Sequence, residues 1–113
     1  MDIKDLLKFI QKEETRLKDH YNNADDEKMI LAITVKLNEE MGELCQEVLG
    51  KLKLHRKSKL DRYSSQTLKE EFADVLITTL ILANKMGVDA AQALEEKVDK
   101  INERNKLDKN WWK

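Results

Sequence analysis

The chain has 113 residues, 41% apolar and 38% charged, and its 21 Lys and Arg against 22 Asp and Glu leave a formal net charge of −1. That balance supplies no global field to draw the protein onto nucleic acid or an anionic membrane, so any charge-based function is local. Three Gly and no Pro argue against a turn-rich β fold, and the lone Cys45 excludes an internal disulfide and a cysteine-built zinc site.

The length fits one domain, residues 1–113, with a small core. The opening MDIKDLLKFIQKEE is too charged for a signal peptide, and the most apolar run, VLITTLILA at 75–83, is too short to span a bilayer. A cytoplasmic protein is expected.

In chain order, Ile3, Leu6, Leu7, Ile10 and Leu17 recur at mostly helical spacing and predict a first helix over 2–21. NNADD at 22–26 breaks it and supplies caps for the next. A second and longest helix is expected from about Asp26 to Leu52. Its inward stripe is Met29, Ile30, Ile33, Leu37, Met41, Leu44, Val48 and Leu52. The basic stretch KLKLHRKSKLDRYSS, 51–65, then reads as a loop. It lacks interleaved aromatics that would stack on bases, which speaks against nucleic-acid binding.

Thr67 followed by Glu70 has the form of a capping box, with Ser65 a competing cap, so a third helix should start near 66, run to Met86 and stop at Gly87. Its VLITTLILA segment is apolar on nearly every side and should be enclosed all round, more easily if a second subunit supplies one wall. Asp89 with Gln92 opens a fourth helix that turns Leu94, Val98 and Ile101 inward and fades near Asn105. The tail KLDKNWWK carries Trp111 and Trp112, whose default role is packing back on the bundle. An all-α domain of four main helices is the expected fold.

Two acidic pairs stand out. Glu40 and Glu43 are three apart on one face of the second helix, with Glu47 a turn further on, and Glu71 and Asp74 are three apart at the start of the third. Both pairs border the apolar stripes. Four carboxylates converging there would repel strongly unless protonated or bridged by a cation. With oxygen donors only, Mg²⁺ or Mn²⁺ fits better than zinc. The histidines, His20 and His55, lie outside the pattern, so a di-iron Glu-x-x-His bundle is disfavoured. The competing interpretation is a solvated acidic face in a highly charged chain.

EEMGE at 39–43 followed by EFAD at 71–74 is similar to the E-E-x-x-E and E-x-x-D motifs of the MazG-like, all-α nucleoside triphosphate pyrophosphohydrolases. The likeness extends through VKLNEEMGELCQEV and LKEEFADVLITTLILANKMGVDAAQALEEKVDKINERN, about residues 28–105. It implies an all-α bundle that holds Mg²⁺, with Mn²⁺ as a substitute, and converts a nucleoside triphosphate to the monophosphate and pyrophosphate.

Carried over by position, the resemblance puts the metal ligands at Glu40, Glu43, Glu71 and Asp74. Glu39, off the face shared by Glu40 and Glu43, is the expected base that positions or deprotonates the attacking water. Lys97, Lys100 and Arg104 share a face of the fourth helix and form the expected phosphate clamp, with Asn102 as a further contact. Here the sequence departs from the relatives' K-N-x-x-R pattern, having Ile101 and Asn102. Glu47 and Glu70 are expected to be an exposed residue and a cap partner.

The expected protein is thus a homo-oligomeric, Mg²⁺-dependent enzyme of housecleaning or pool control, most simply a dimer, with no nucleic-acid or membrane partner. The alternative is a non-catalytic helical interaction or regulatory protein with a structural metal site. Base and sugar choice lie outside these motifs.

Overall fold

The computed structural model describes residues 1–22, 24–54 and 64–105, and these form four helices: α1 (Ile3–His20), α2 (Asp26–Lys51), α3 (Ser65–Lys85) and α4 (Ala90–Arg104). No strand occurs among the described residues. The expected helices are all present and close to their expected bounds. Most of the expected basic loop and the whole tryptophan tail lie outside the described residues.

The helix ends follow from local chemistry. The Asp2 carboxylate accepts from the Asp5 backbone N–H at 2.9 Å while Asp5 accepts from Asp2 N–H at 3.1 Å, a reciprocal capping box. Asp25 caps α2 by accepting from Lys28 N–H at 2.9 Å. For α3 the expectation needs correction. The cap is Ser64, not Thr67 or Ser65, and Thr67 is its reciprocal partner: Thr67 N–H donates to Ser64 Oγ at 3.1 Å and Ser64 N–H to Thr67 Oγ1 at 3.2 Å. A hydroxyl pair at this spacing satisfies two orphan donors by itself, which leaves Glu70 outside the cap to accept from Gln66 Nε2 at 3.2 Å.

Two helices end alike. After α3, Gly87 N–H donates to Asn84 O and Val88 N–H to Ala83 O, the Schellman pattern, with Gly87 at φ 72°. After α2, Lys53 N–H donates to Gly50 O and Leu54 N–H to Leu49 O, but here a lysine occupies the left-handed position at φ 57°. A side chain at that conformation carries a steric cost that glycine avoids.

The most extensive pairing is between α2 and α3, and α1 packs mainly on α3. Lys85 Nζ meets Asp26 Oδ1 at 2.7 Å at one end of the α2–α3 pair, and at the other Thr67 Oγ1 donates to Glu47 Oε2 at 2.9 Å. These two ties define an antiparallel register in which residues 40–43 of α2 lie opposite 71–74 of α3. Lys85 also reaches Glu14 of α1 at 3.2 Å, and Asn84 Nδ2 donates to the other Glu14 oxygen, so one polar knot joins three helices.

Ile10 and Leu17 of α1, Met29 and Ile33 of α2 and Ile81 of α3 form the buried core, flanked by Tyr21, Ala24, Ile77, Leu80 and Leu82. The core is therefore concentrated where α1, the first half of α2 and the second half of α3 meet. The apolar stripe expected along all of α2 is covered only there; Met41 is 46% exposed and Leu52 59%. Nor does one chain enclose α3: Phe72 and Leu76 are half or more exposed, and only Thr78 and Ile81 are buried.

On α4, Leu94 and Ile101 are exposed while Asn102 is buried, so the inward edge differs from the expected one. The reason is topological. Within a single chain α4 leans only lightly on α3, and the apolar edge that Leu94 leads stays uncovered. The radius of gyration, 17.3 Å, exceeds the roughly 13 Å of a compact domain of this length.

Candidate metal centre

The α2–α3 register brings the acidic pairs together. Carboxylate oxygens of Glu40, Glu43 and Glu71 lie within 4.8 Å of one another. Opposite coordination positions around a single Mg²⁺ or Mn²⁺ stand about 4.2 Å apart, so modest side-chain adjustment would place all three on one ion. Glu40 Oε2 and Glu71 Oε2 are buried and have no hydrogen-bond partner among the described residues. Buried carboxylate oxygens normally have one, so these two call for a proton or a cation.

The electrostatics agree. Burial, first, and then the facing Glu40 carboxylate and the charges of Glu43 and Glu40 push the Glu71 carboxyl up to about 7. A proton held on Glu71 relieves the repulsion in the absence of metal. A divalent ion would relieve it more fully, by neutralising all three groups at once.

Asp74, the fourth expected ligand, is not one of the three converging carboxylates. It lies one turn beyond Glu71 on α3 and lines a neighbouring cavity of about 270 Å³, which it shares with Glu40, Lys36, Glu13, Arg16 and Thr78. Lys36 Nζ stands 3.8 Å from Glu40 Oε1, one helical turn away. Arg16 donates from Nε to Glu13 Oε1 at 3.0 Å and from Nη2 to Glu13 Oε2 at 2.8 Å, which holds the Glu13 carboxyl below the usual range.

Glu39 is exposed on α2, one turn from Glu43 and outside the converging set. Glu47, expected to be exposed, is instead partly buried by its bond from Thr67. On α4, Lys97, Lys100 and Arg104 are exposed, whereas Asn102 is 6% exposed with its Nδ2 unpartnered among the described residues. Cys45 is exposed, because among the described residues the second half of α2 packs mainly on α3.

Sequence reasoning did not find Glu13, Arg16 or Lys36. The Lys36–Glu40 spacing of four was a readable signal, but nothing local announces that the middle of α1 closes one side of this cavity.

No helix among the described residues is long and apolar enough to cross a membrane. A family model described as the MazG nucleotide pyrophosphohydrolase domain matches residues 28–107. A Bacillus subtilis (strain 168) protein, named "Uncharacterized protein YpjD", is 33% identical over 76 residues, which is 67% of each chain. No solved structure matches the chain.

Proposed function

The chain belongs to the MazG nucleotide pyrophosphohydrolase family, and from that premise we propose that it hydrolyses a nucleoside triphosphate to the monophosphate and pyrophosphate, using Mg²⁺ held by Glu40, Glu43, Glu71 and Asp74. The observation that carries this reading is the convergence of Glu40, Glu43 and Glu71 with two buried, unpartnered oxygens inside the matched segment. A solvated acidic face would leave those oxygens to water.

When bound, Mg²⁺ supplies charge neutralisation at the triphosphate and lowers the pKa of an attacking water. Glu40, Glu43 and Glu71 would hold it, with Asp74 as the further ligand on the adjoining turn of α3. Glu39, which the convergent set leaves unengaged, accepts the proton of the attacking water and aligns it with the α-phosphorus. Lys97, Lys100 and Arg104, with Asn102, steady the departing pyrophosphate, whose developing charge needs cationic and N–H donors. Mn²⁺, equally suited to oxygen donors, substitutes for Mg²⁺.

The working form is a homo-oligomer, most simply a dimer, in the cytoplasm, acting in nucleotide housecleaning or pool control. The exposed Phe72 and Leu76 on α3 and Leu94 on α4 support self-association, because a single chain leaves these large apolar side chains in water.

The test is pyrophosphate release from a panel of canonical and modified ribo- and deoxyribonucleoside triphosphates, with Mg²⁺ or with EDTA, and with Glu40→Ala as control. Metal-dependent release that is lost in the variant is expected. No turnover of any triphosphate with Mg²⁺, or with Mn²⁺ in its place, would overturn the enzymatic reading and favour the non-catalytic alternative.

A further inference from the structure

The cavity beside the metal centre holds charges of both signs. Glu13, Glu40 and Asp74 line it with Arg16 and Lys36, leaving one net negative charge. A divalent ion held by Glu40, Glu43 and Glu71 would offset the Glu40 charge and leave Glu13 and Asp74 against Arg16 and Lys36. Metal binding would thus lower the cavity's repulsion of a phosphate.

Two features single out the cations. Lys36 is paired with Glu40 at 3.8 Å, longer than a close ion pair, and its side chain is 45% exposed whereas that of Glu40 is 14% exposed. The ammonium therefore neutralises Glu40 loosely, from the solvent side, and leaves Glu40 Oε2 without a partner among the described residues. Arg16, whose side chain is 62% exposed, pairs with Glu13 through Nε and Nη2, which leaves the guanidinium three further N–H donors. It comes from α1, which lies before the segment matched by the family model.

Resting on the pyrophosphohydrolase reading above, we propose that Lys36 and Arg16 form a second phosphate-binding rim of the site, with Lys36 held by Glu40 until a divalent ion takes that carboxylate. Metal binding displaces the ammonium from Glu40 and releases it to a phosphate group of the substrate. Arg16, already oriented by Glu13, receives the same group through its remaining donors. The order of binding follows: metal and phosphate enter together or metal enters first, because the phosphate-binding cation is otherwise engaged.

The test uses the full chain, with Lys36→Met, Lys36→Arg and Arg16→Gln. Calorimetry measures binding of Mn²⁺ alone, and then of a non-hydrolysable α,β-methylene nucleoside triphosphate in the presence of Mg²⁺. Circular dichroism checks that each variant is folded.

Removing the competing ammonium should tighten Mn²⁺ binding by Lys36→Met about fivefold while weakening the analogue about tenfold. Lys36→Arg should recover most of the analogue affinity. Arg16→Gln should leave Mn²⁺ binding unchanged and weaken the analogue to a similar degree. A purely structural role for Lys36 would not move metal and analogue affinity in opposite directions, and one for Arg16 would not weaken the analogue while leaving Mn²⁺ binding unchanged. Unchanged or weaker Mn²⁺ binding by Lys36→Met, or unchanged analogue binding in both Lys36→Met and Arg16→Gln, overturns the proposal while the metal centre stands. Failure of the unsubstituted chain to bind Mn²⁺ overturns the metal centre itself, and this rim with it.

Discussion

Replacing Glu71 by Gln should stabilise the metal-free protein at alkaline pH, because three carboxylates converging without a cation are a site of electrostatic strain. In the folded chain the Glu71 carboxyl is pushed from its ordinary 4.5 up to about 7. Between those two values the native state retains a proton that the unfolded chain has released, so stability falls as pH rises through this window. Below about 4.5 both states are protonated and the strain is absent; above about 7 both are ionised and it is complete. The full shift corresponds to about 3 kcal/mol. Solvent at the rim, where Glu43 is exposed, screens it to about 1–2 kcal/mol. For a chain of this size that is about 5–10 °C in melting temperature.

Thermal unfolding in EDTA should therefore show Glu71→Gln melting about 5–10 °C above the unsubstituted chain at pH 8, with the two nearly coincident at pH 4. Added Mg²⁺ should raise the melting temperature of the unsubstituted chain at pH 8 and have less effect on the variant. If Glu71→Gln melts at or below the unsubstituted chain at pH 8, the carboxylates are not mutually strained and the reasoning fails.

Lys53→Gly should raise stability by about 1 kcal/mol in urea unfolding, since glycine fits the left-handed position at φ 57° that ends α2; a loss of stability would show that the lysine contributes more than its backbone costs. Lys85→Met should cost about 1–2 kcal/mol at neutral pH by leaving Glu14 without its cation between α1 and α3. Because Lys85 depresses the Asp26 carboxyl, that part of the difference between variant and parent should be lost as pH falls through the lowered Asp26 titration. Leu76→Glu, at a position 64% exposed in the single chain, should leave the monomer fold intact and, on the proposed self-association, shift the mass toward monomer in sedimentation; an unchanged mass would refute this face of α3 as the contact.

The four helices were legible because their signals are local. Asp2 and Asp25 sit where the first orphan N–H groups need acceptors, Gly87 supplies a left-handed stop, and the absence of Pro leaves each segment uninterrupted. Where two local signals competed the sequence misled. Thr67 with Glu70 matched a capping box, but Ser64 with Thr67 closed one residue-pair earlier and used up the same hydroxyl. The second half of the α2 stripe also misled, because periodicity reports which face is apolar and not whether anything covers it.

The acidic spacing by itself determined that Glu40 and Glu43 share one helix face and Glu71 and Asp74 another. Only the tertiary structure decided that these faces meet, through a register tied by Lys85–Asp26 and Thr67–Glu47, contacts between residues 59 and 20 positions apart. It also decided that Glu71 converges with the α2 pair while Asp74 opens onto a cavity closed by Arg16 of α1. The physical reason is one of range. Helical spacing fixes neighbours within a turn or two, whereas the burial that raises the Glu71 carboxyl and the cations that line the adjoining cavity come from helices whose placement depends on the packing of Ile10, Leu17, Met29, Ile33 and Ile81.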